Sequence, residues 1–155
     1  MRLAQVNVAR MRGPIDSAVM SSFVTKLDEI NALADGWPGF VWRLKGEGNN
    51  ATSLQAFDDV MIIVNMSVWE SLGSLKEYVY KSDHVGVFRR RKEWFEAMDE
   101  MHMALWWVPS GHTPTVLEAK ERLGYLRRHG PSPFAFSFAK PFEPQTQGAG
   151  LGLRR

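Results

Sequence analysis

The sequence predicts an α+β domain, in which a ferredoxin-like antiparallel sheet carries its helices on one face. The predicted elements run in the order strand, helix, strand, strand, helix, helix, strand, helix, and the first part of this order matches the split βαβ arrangement. The 155 residues are the length of one domain, and a hydrophobic content of 45% is enough for its core. The other face of the sheet needs a cover, and we expect a second subunit to supply it.

The first strand and the first helix are indicated by the spacing of their apolar residues, which has the period of a strand in one segment and of a helix in the next. Residues 3–10, LAQVNVAR, alternate as a strand does, and the GP at residues 13–14 ends it. Asp16 or Ser17 is placed to cap the following helix, and Gly36 is placed to end it. The apolar stripe of this helix consists of Met20, Phe23, Leu27, Ile30 and Ala34.

Two further strands follow in the middle of the chain. Residues 40–45, FVWRLK, alternate, which places Phe40, Trp42 and Leu44 on one face. Residues 60–69, VMIIVNMSVW, begin as a continuous apolar run and end in alternation. This second segment is the strongest strand prediction in the sequence.

The next elements are two helices and a strand. Residues 71–80 predict a helix, residues 82–98 a second one that Ser82 can cap, and residues 101–109 a strand that ends at a proline. Thr113, followed by a proline, can cap the last helix, and Thr115 with Glu118 offers an alternative capping box.

The remaining segments set the domain boundaries. The last helix stops at the GP of residues 130–131, and residues 134–138, FAFSF, predict a short edge strand. The polar loop at residues 46–59 is long for a simple connection, so it is either mobile or covers a site. We expect a single domain over residues 1–140 and a flexible tail over residues 141–155.

The composition excludes several classes of function. The chain contains no cysteine, which excludes disulfides, thiolate metal sites and a cysteine nucleophile. No apolar stretch is long enough for a signal peptide or a membrane span, so we expect a cytoplasmic protein without membrane contact. The net charge is only +2. The four consecutive cations at residues 89–92 would point in different directions on a helix, so we expect no nucleic acid partner.

Strand parity predicts a polar face on the sheet. Alternate side chains of a strand lie on opposite faces, and we expect the apolar sets to pack under the helices. Opposite these sets lie polar groups and rings, which suit a ligand cavity; the alternative is a solvent-exposed or dimer surface. The apolar sets are Val6 and Val8, Met66 and Val68, and Met103, Leu105 and Trp107. The polar set consists of Gln5, Asn7, Asn65, Ser67, Trp69, His102 and Trp106.

Residues 81–95, KSDHVGVFRRRKEWF, predict a second candidate site. One helical face carries His84, Phe88, Arg91 and Phe95, at spacings of four, three and four residues. Arg91 is then the cation that turns inward, and Tyr80 joins this face if the helix continues across Ser82. Because histidine titrates near neutrality, the set is a candidate for acid/base catalysis or anion binding. The alternative is that His84 supports a dimer interface.

The other histidines are weaker candidates. His112 precedes the last helix, where loop histidines often bond to nearby groups, and His129 suits the end of that helix. His102 follows the parity of the polar set. No two histidines have ligand spacing on one element, so we expect no metal site.

Four segments of the chain resemble the DUF3291 family, a domain of unknown function in the dimeric α/β-barrel superfamily. They are VNMSVWESLGSLKEYVYKSDH, RRRKEWF, LWWVPSGHTPT and EAKERLGYLRRHGPSPFAFSF. The resemblance implies two ferredoxin-like sheets that face each other as a barrel, each with its own cavity. The superfamily includes cofactor-free monooxygenases of polyketide tailoring, haem-using enzymes, lactone isomerases and stress-responsive binders, so the fold implies no single reaction.

We therefore expect a homodimeric enzyme of secondary metabolism that acts on a small aromatic or polycyclic molecule. It would be a cofactor-independent monooxygenase or catalyse an isomerase- or dehydratase-like step. The alternatives are a haem-binding enzyme with His84 as the ligand, and a non-catalytic ligand-binding or stress-response dimer. The expected catalytic residues are His84, Arg91 and Tyr80. The expected substrate-binding residues are Gln5, Asn7, Trp42, Asn65, Ser67, Trp69, Phe88, Phe95, His102 and Trp106.

Overall fold

The computed structural model describes residues 1–46, 52, 55–82 and 84–145, without the side chains of residues 84–88. The strands are β1 (Arg2–Met11), β2 (Phe40–Arg43), β3 (Ile62–Trp69), β4 (Phe95–Glu96) and β5 (Met103–Val108). The helices are α1 (Ser21–Asp35), α2 (Leu72–Lys81), α3 (His84–Trp94) and α4 (Val116–His129), and a 3-10 turn at Ala18–Met20 precedes α1. The predicted order of elements is confirmed, with β4 as an addition.

The strands form one antiparallel sheet with β1 and β3 at its centre. β2 pairs with β3, β3 with β1, and β1 with β5, while the two residues of β4 pair with the far end of β1. The order β2-β3-β1-β5, with α1 and α2 in the crossovers, is the ferredoxin-like arrangement. The predicted α+β, ferredoxin-like fold class is confirmed.

The pairing register assigns every central side chain to one of two faces. Gln5 lies opposite Ser67 of β3 and opposite Leu105 of β5, so these three side chains share a face. The three-helix face, which packs against α1, α2 and α3, carries Leu3, Gln5, Asn7, Met11, Ile63, Asn65, Ser67, Trp69, Met103, Leu105 and Trp107. The α4 face carries Ala4, Val6, Val8, Val64, Met66, Val68, Ala104, Trp106 and Val108.

Helix α4 covers the face for which we expected a second subunit. Ala119, Leu123 and Leu126 of α4 are buried against the α4 face, whose own side chains are almost wholly buried within the single chain. Val6 and Met66 therefore pack under a helix as expected, but this helix is α4. The three helices of the ferredoxin-like unit share one face, and the additional C-terminal helix takes the other.

The parity predicted for β5 is wrong. We had placed Leu105 with Val6 and Trp106 with the polar set, whereas the register pairs Gln5 with Leu105 and Ala4 with Trp106. The segment MALWWV is apolar on both sides, so alternation could not show which side belongs to which face. Trp106 and the preceding His102, whose carbonyl accepts a hydrogen bond from Val8 N at 2.9 Å, follow the parity of the α4 face.

Strand β2 contains an irregularity that alternation does not reveal. The register shifts between Phe40 and Trp42, so that Trp42 lies opposite Val68 and Arg43 opposite Ser67. Phe40 consequently packs with the three-helix face, and Trp42 packs with the α4 face. The prediction that Phe40 and Trp42 share a face is wrong.

Helix α3 is shorter than predicted because the chain leaves it to join the sheet. α3 ends at Trp94, and Phe95 and Glu96 pair with Met11 and Arg10 of β1. α2 and α3 are also separate helices, since α2 ends at Lys81. The two helices are separate, as predicted, so the condition under which Tyr80 would join the face of His84 is not met, and Phe95 lies beyond the end of α3.

The cation that packs inward from α3 is Arg90, whereas Arg91 is exposed. The Arg90 guanidinium lies 4.9 Å from the centre of the Trp94 ring and also pairs with Glu93. Trp94 is buried and donates from Nε1 to Ser22 Oγ at 2.8 Å. The prediction that Arg91 turns inward is wrong, since Trp94 sets the buried side of α3.

The helix caps and the C-terminal contacts agree in part with those predicted from the sequence. Ser71 caps α2, and Thr115, the alternative that we gave, caps α4 by accepting from Glu118 N. Ser17 donates to Pro14 O instead of capping α1. The predicted edge strand is a single bridge between Phe136 and Leu105.

The domain extends beyond residue 140. Trp107 Nε1 donates to Phe142 O at 2.7 Å, and the Phe142 ring lies 6.0 Å from that of Phe136. Residues 141–145 of the predicted tail thus lie against the domain, at Phe142, and residues 146–155 lie outside the described part. Among the described residues, no helix has the length and apolar content that a membrane span requires.

The described end of the loop predicted at residues 46–59 lies on the α4 side of the sheet. Phe57 packs with the α4 face, 5.0 Å from Lys120 Nζ, and Asp59 forms an ion pair with Arg10. Residues 47–51, 53 and 54 lie outside the description. The expectation that this loop covers a site stays a prediction.

Replacing Leu123 with alanine tests whether α4 covers the sheet. Leu123 is 1% exposed, and its truncation should lower the free energy of unfolding by about 2–5 kcal/mol, because it leaves a cavity in the core. Leu117→Ala is the matched control on the same helix, since Leu117 is 76% exposed and should cost less than about 0.5 kcal/mol. Urea denaturation measures both, and equal effects of the two changes would contradict the packing of α4.

Candidate functional site

A chain of polar side chains crosses the middle of the three-helix face. Gln5 Nε2 donates to Asn65 Oδ1 at 2.7 Å and to Ser67 Oγ at 2.8 Å. Trp69 Nε1 donates to the same Ser67 oxygen at 2.8 Å. Because Ser67 Oγ already accepts two hydrogen bonds, its own hydrogen is left to donate.

These residues lie between two apolar clusters on the same face. Leu3, Trp69 and Leu105 belong to one cluster, and Met11 and Ile63 to the other. Along β1 and β3 the side chains between the clusters are polar except for Ala9, and we call Gln5, Asn7, Asn65 and Ser67 the polar waist. Four of the predicted substrate-binding residues are thus neighbours in the structure.

The polar waist runs from a buried to an accessible end. Gln5 is 6% exposed and Ser67 is buried with it, whereas Asn7 is half-buried and Asn65 is exposed. Among the described residues, Gln5 Oε1 and the Asn7 amide have no hydrogen-bond partner. The waist therefore offers free donors and acceptors beside the exposed Asn65.

Aromatic rings form the wall beside the buried end. The Trp69 ring stacks on Tyr78 with centres 5.2 Å apart and meets the edge of Phe40 at 5.4 Å. Tyr78 donates to Ile30 O at 3.0 Å, and burial, with a smaller contribution from Asp35, raises the pKa of its phenol. Tyr78 is therefore a neutral wall at physiological pH and no proton acceptor.

Arg43 adds a buried charge to this wall, and sequence reasoning missed it. It lies on β2 opposite Ser67, and its Nε and Nη2 donate to the two oxygens of Asp35 at 2.7 and 3.2 Å. The paired carboxylate neutralises the guanidinium and joins the end of α1 to the sheet. The only sign of this buried charge in the sequence was an arginine within the short predicted strand FVWR.

Other predicted site residues lie away from the polar waist. Tyr80 is 62% exposed with its ring 6.1 Å from Phe138, and Arg91 is exposed. Phe95 packs in the Met11 cluster, 5.0 Å from Phe23. The side chains of His84 and Phe88 lie outside the described part, so their predicted roles stay predictions.

The remaining three predicted residues belong to the other side of the sheet. Trp42 and Trp106 pack with the α4 face, and His102 follows the parity of that face. Partial burial and the charges of Arg91 and Arg127 lower the pKa of His102. The prediction that Trp42, His102 and Trp106 share a cavity with Gln5 is wrong, because the register of β5 and the bulge in β2 place them elsewhere.

A second polar cluster joins the start of α4 to the α4 face. Glu118 accepts from the buried Trp106 Nε1 at 2.9 Å with one oxygen and pairs with His112 Nε2 at 2.8 Å with the other. His112 is exposed, and its bond to Glu118 is local, as is common for a loop histidine before a helix. Among the described residues, no group of three His, Asp or Glu side chains is placed to hold a metal ion.

Comparison with known proteins gives a family and a fold. The family model "Domain of unknown function (DUF3291)" matches residues 2–150 of this chain. A comparison with curated proteins found no match. A solved protein of unknown function from Nitrosomonas europaea is similar, with a TM-score of 0.51 and 6% identity over 74% of this chain and 95% of its own.

Two other solved structures are similar at the level of the fold. SnoaB, a cofactor-independent oxygenase from Streptomyces nogalater, gives a TM-score of 0.48 and 14% identity over 70% of this chain and 94% of its own. A dabb family protein with a ferredoxin-like fold from Mesorhizobium loti gives 0.44 and 16% identity, over 72% of this chain and 100% of its own. Identities this low relate the folds alone.

The second polar cluster predicts a pH dependence of stability. Partial burial raises the pKa of the Glu118 carboxyl, but its hydrogen bonds with His112 and Trp106 outweigh burial, and the pKa lies below its ordinary value. A carboxyl with a lowered pKa in the folded state stabilises the protein above its unfolded pKa, which is about 4.3 for Glu. This contribution is lost as the pH falls through the lower, folded-state pKa.

Glu118→Gln should therefore lower the free energy of unfolding at pH about 7, and the difference from the unchanged protein should shrink by pH about 3. Urea denaturation across this range measures the difference. Glu121→Gln is the matched control, because Glu121 is exposed on the same helix and forms no ion pair in the described part. A Glu118→Gln effect that is the same at both pH values would contradict this account.

Proposed function

The chain belongs to the DUF3291 family, and from this premise we propose that it is an enzyme that binds and transforms a small aromatic metabolite at the polar waist. One observation carries the proposal. The hydrogen-bonded side chains of Gln5, Asn65 and Ser67 lie between two apolar, ring-rich clusters and open to solvent at Asn65. Apolar walls with a few oriented polar groups are the usual composition of a small-molecule site.

The polar groups of the waist are suited to orient a ligand. Amide and hydroxyl groups donate and accept hydrogen bonds without a charge, so they can fix the hydroxyl or carbonyl of an aromatic molecule. Trp69, which shares the Ser67 oxygen with Gln5, is itself buried against Tyr78 and Phe40 and holds that oxygen in place. These features support binding, and the chemistry requires a base in addition.

We propose His84 as this base, since α3 begins at His84 and histidine is the side chain that titrates near neutrality. In a cofactor-independent monooxygenation, the base removes a proton from the activated carbon of the substrate. The carbanion reduces O2, one oxygen atom forms the new carbonyl of the product, and the other leaves as water. In an isomerase- or dehydratase-like step, the same base moves a proton within the substrate or helps to expel water.

A non-catalytic ligand-binding protein is the second candidate, and the waist itself favours it. Gln5, Asn7, Asn65 and Ser67 include no group that titrates near neutrality. Without a base at His84, such a site would orient a ligand and leave it unchanged. The third candidate is a haem-binding enzyme, in which His84 would be the ligand of the haem iron.

Turnover of anthrone, an aromatic compound with one activated carbon, tests the proposal. Anthrone and O2 give anthraquinone and water, which oxygen uptake and quinone absorbance report without any cofactor. Gln5→Leu should lower kcat/KM about tenfold, the effect of losing one or two orienting hydrogen bonds. Gln55→Leu is the matched control at an exposed position and should leave turnover unchanged.

The His84→Ala variant separates the candidates. Loss of turnover with retained binding supports the enzyme, whereas binding without turnover in the unchanged protein supports the non-catalytic alternative. A Soret band in protein supplied with haem, lost in His84→Ala, would replace the proposal by the haem-binding alternative. Equal kcat/KM for Gln5→Leu and Gln55→Leu would show that the waist is not the site.

The proposal includes a cytoplasmic homodimer that acts in secondary metabolism. Because α4 covers its face within one chain, the two subunits would meet through another surface than the α4 face. Sedimentation equilibrium should give twice the chain mass of 17.6 kDa. A mass equal to that of one chain, at all concentrations, would remove the dimer from the proposal.

A further inference from the structure

Trp69, one of the predicted substrate-binding residues, lies behind the polar waist, at its buried end. It is 1% exposed, with its ring stacked on Tyr78 and in edge contact with Phe40. Its Nε1 donates to Ser67 Oγ at 2.8 Å. A ligand at the exposed end of the waist would not touch this indole ring, so an effect of Trp69 on such a ligand must pass through Ser67.

The hydrogen bonds of the waist form one continuous chain that begins at this indole. An indole N–H can only donate, so Ser67 Oγ accepts from Trp69, and it also accepts from Gln5 Nε2 at 2.8 Å. Gln5 Nε2 continues the chain to Asn65 Oδ1 at 2.7 Å. The chain thus runs from a side chain that is almost wholly buried to the exposed Asn65.

The position of the Ser67 hydroxyl decides whether this chain stays intact. A serine side chain has three staggered χ1 rotamers, which point its oxygen in three different directions. The observed rotamer brings Ser67 Oγ within reach of two donors, Trp69 Nε1 and Gln5 Nε2. Without the indole N–H, only the bond to Gln5 would hold this rotamer, and the hydroxyl would be freer to turn away.

Gln5 depends on this hydroxyl because it is long and costly to order. A glutamine side chain loses more conformational entropy on ordering than most side chains do. Two hydrogen bonds from Nε2 hold it, one to the buried Ser67 and one to the exposed Asn65. The bond in buried surroundings is the stronger of the two kinds. A looser Ser67 should therefore widen the range of positions that both amides sample.

We propose that Trp69 is a positioning residue, whose indole N–H holds the Ser67 hydroxyl and thereby fixes the Gln5 amide. Through Gln5 the same contact reaches Asn65, the exposed end of the waist. The inference rests on the proposed site at the polar waist and adds a residue that acts on the ligand without touching it. The ring of Trp69 serves the packing, and its N–H serves the orientation of the waist.

A matched pair of Trp→Phe variants separates orientation from packing. Trp69→Phe removes the N–H and keeps an aromatic ring in the cluster. Trp106→Phe makes the same change on the α4 face, where the buried Trp106 Nε1 donates to Glu118 at 2.9 Å. Each variant loses one indole hydrogen bond and the same side-chain volume, so both should lower Tm. Only Trp69→Phe should disturb the waist.

The side-chain amide NMR signals of Gln5 and Asn65 report on the chain without any substrate. In Trp69→Phe these signals should shift and their order parameters should fall, because the Ser67 hydroxyl is held less firmly. In Trp106→Phe they should match those of the unchanged protein. Ser67→Ala removes the shared acceptor, so it should loosen the same two amides, and it serves for all comparisons if Trp69→Phe does not fold.

Turnover of anthrone shows whether this orientation matters for the proposed function. Trp69→Phe should lower kcat/KM about fivefold, as expected for the loss of one orienting hydrogen bond, and Trp106→Phe should leave it unchanged. The double variant Trp69→Phe/Ser67→Ala should be no slower than Ser67→Ala, because both changes break the same chain.

The positioning role has two contradicting results. Equal effects of Trp69→Phe and Trp106→Phe on kcat/KM would show that the indole has a structural role only. Unchanged amide signals of Gln5 in Trp69→Phe would overturn the inference whatever the kinetics. Absence of anthrone turnover in the unchanged protein would contradict the proposed function alone, and the amide signals would then decide on the positioning role.

Discussion

The pairing of β1 with its two neighbours is the constraint on which the rest of the structure depends. Gln5 lies opposite Ser67 on one side and opposite Leu105 on the other, and this register fixes the face of every central side chain. A shift of one residue would move Gln5 under α4 and Val6 under α1. The apolar α4 face, the polar waist and the apolar clusters beside it all follow from this one alignment.

The two faces of the sheet differ in how they are packed. The α4 face is apolar throughout the centre of the sheet and closed by a helix of the same chain, so it supplies stability. The three-helix face interrupts its apolar packing with the polar waist. This polar interruption reduces the apolar burial on that face, and a protein that only needed to fold would gain from filling it. The difference between the faces is the physical basis for locating function on the second one.

The sequence predicted the elements well because their signals are local. The alternation of β1, the apolar run of β3 and the alternative cap at Thr115 were all visible in a few residues. The grouping of Gln5, Asn65 and Ser67 was also predictable from alternation. The errors concern long-range pairing: β5 is apolar on both sides, the bulge in β2 leaves no local signal, and β4 forms only because β1 is beside it.

The central claim is that the polar waist between α1 and the sheet binds an aromatic ligand. A crystal structure of the protein with bound 2-naphthol tests it most directly. The account predicts the ring between the two apolar clusters of the three-helix face, with its hydroxyl within hydrogen-bond distance of the Gln5 amide. A waist closed by side chains, with the ring bound on the α4 side of the sheet or on the outer surface, would contradict it.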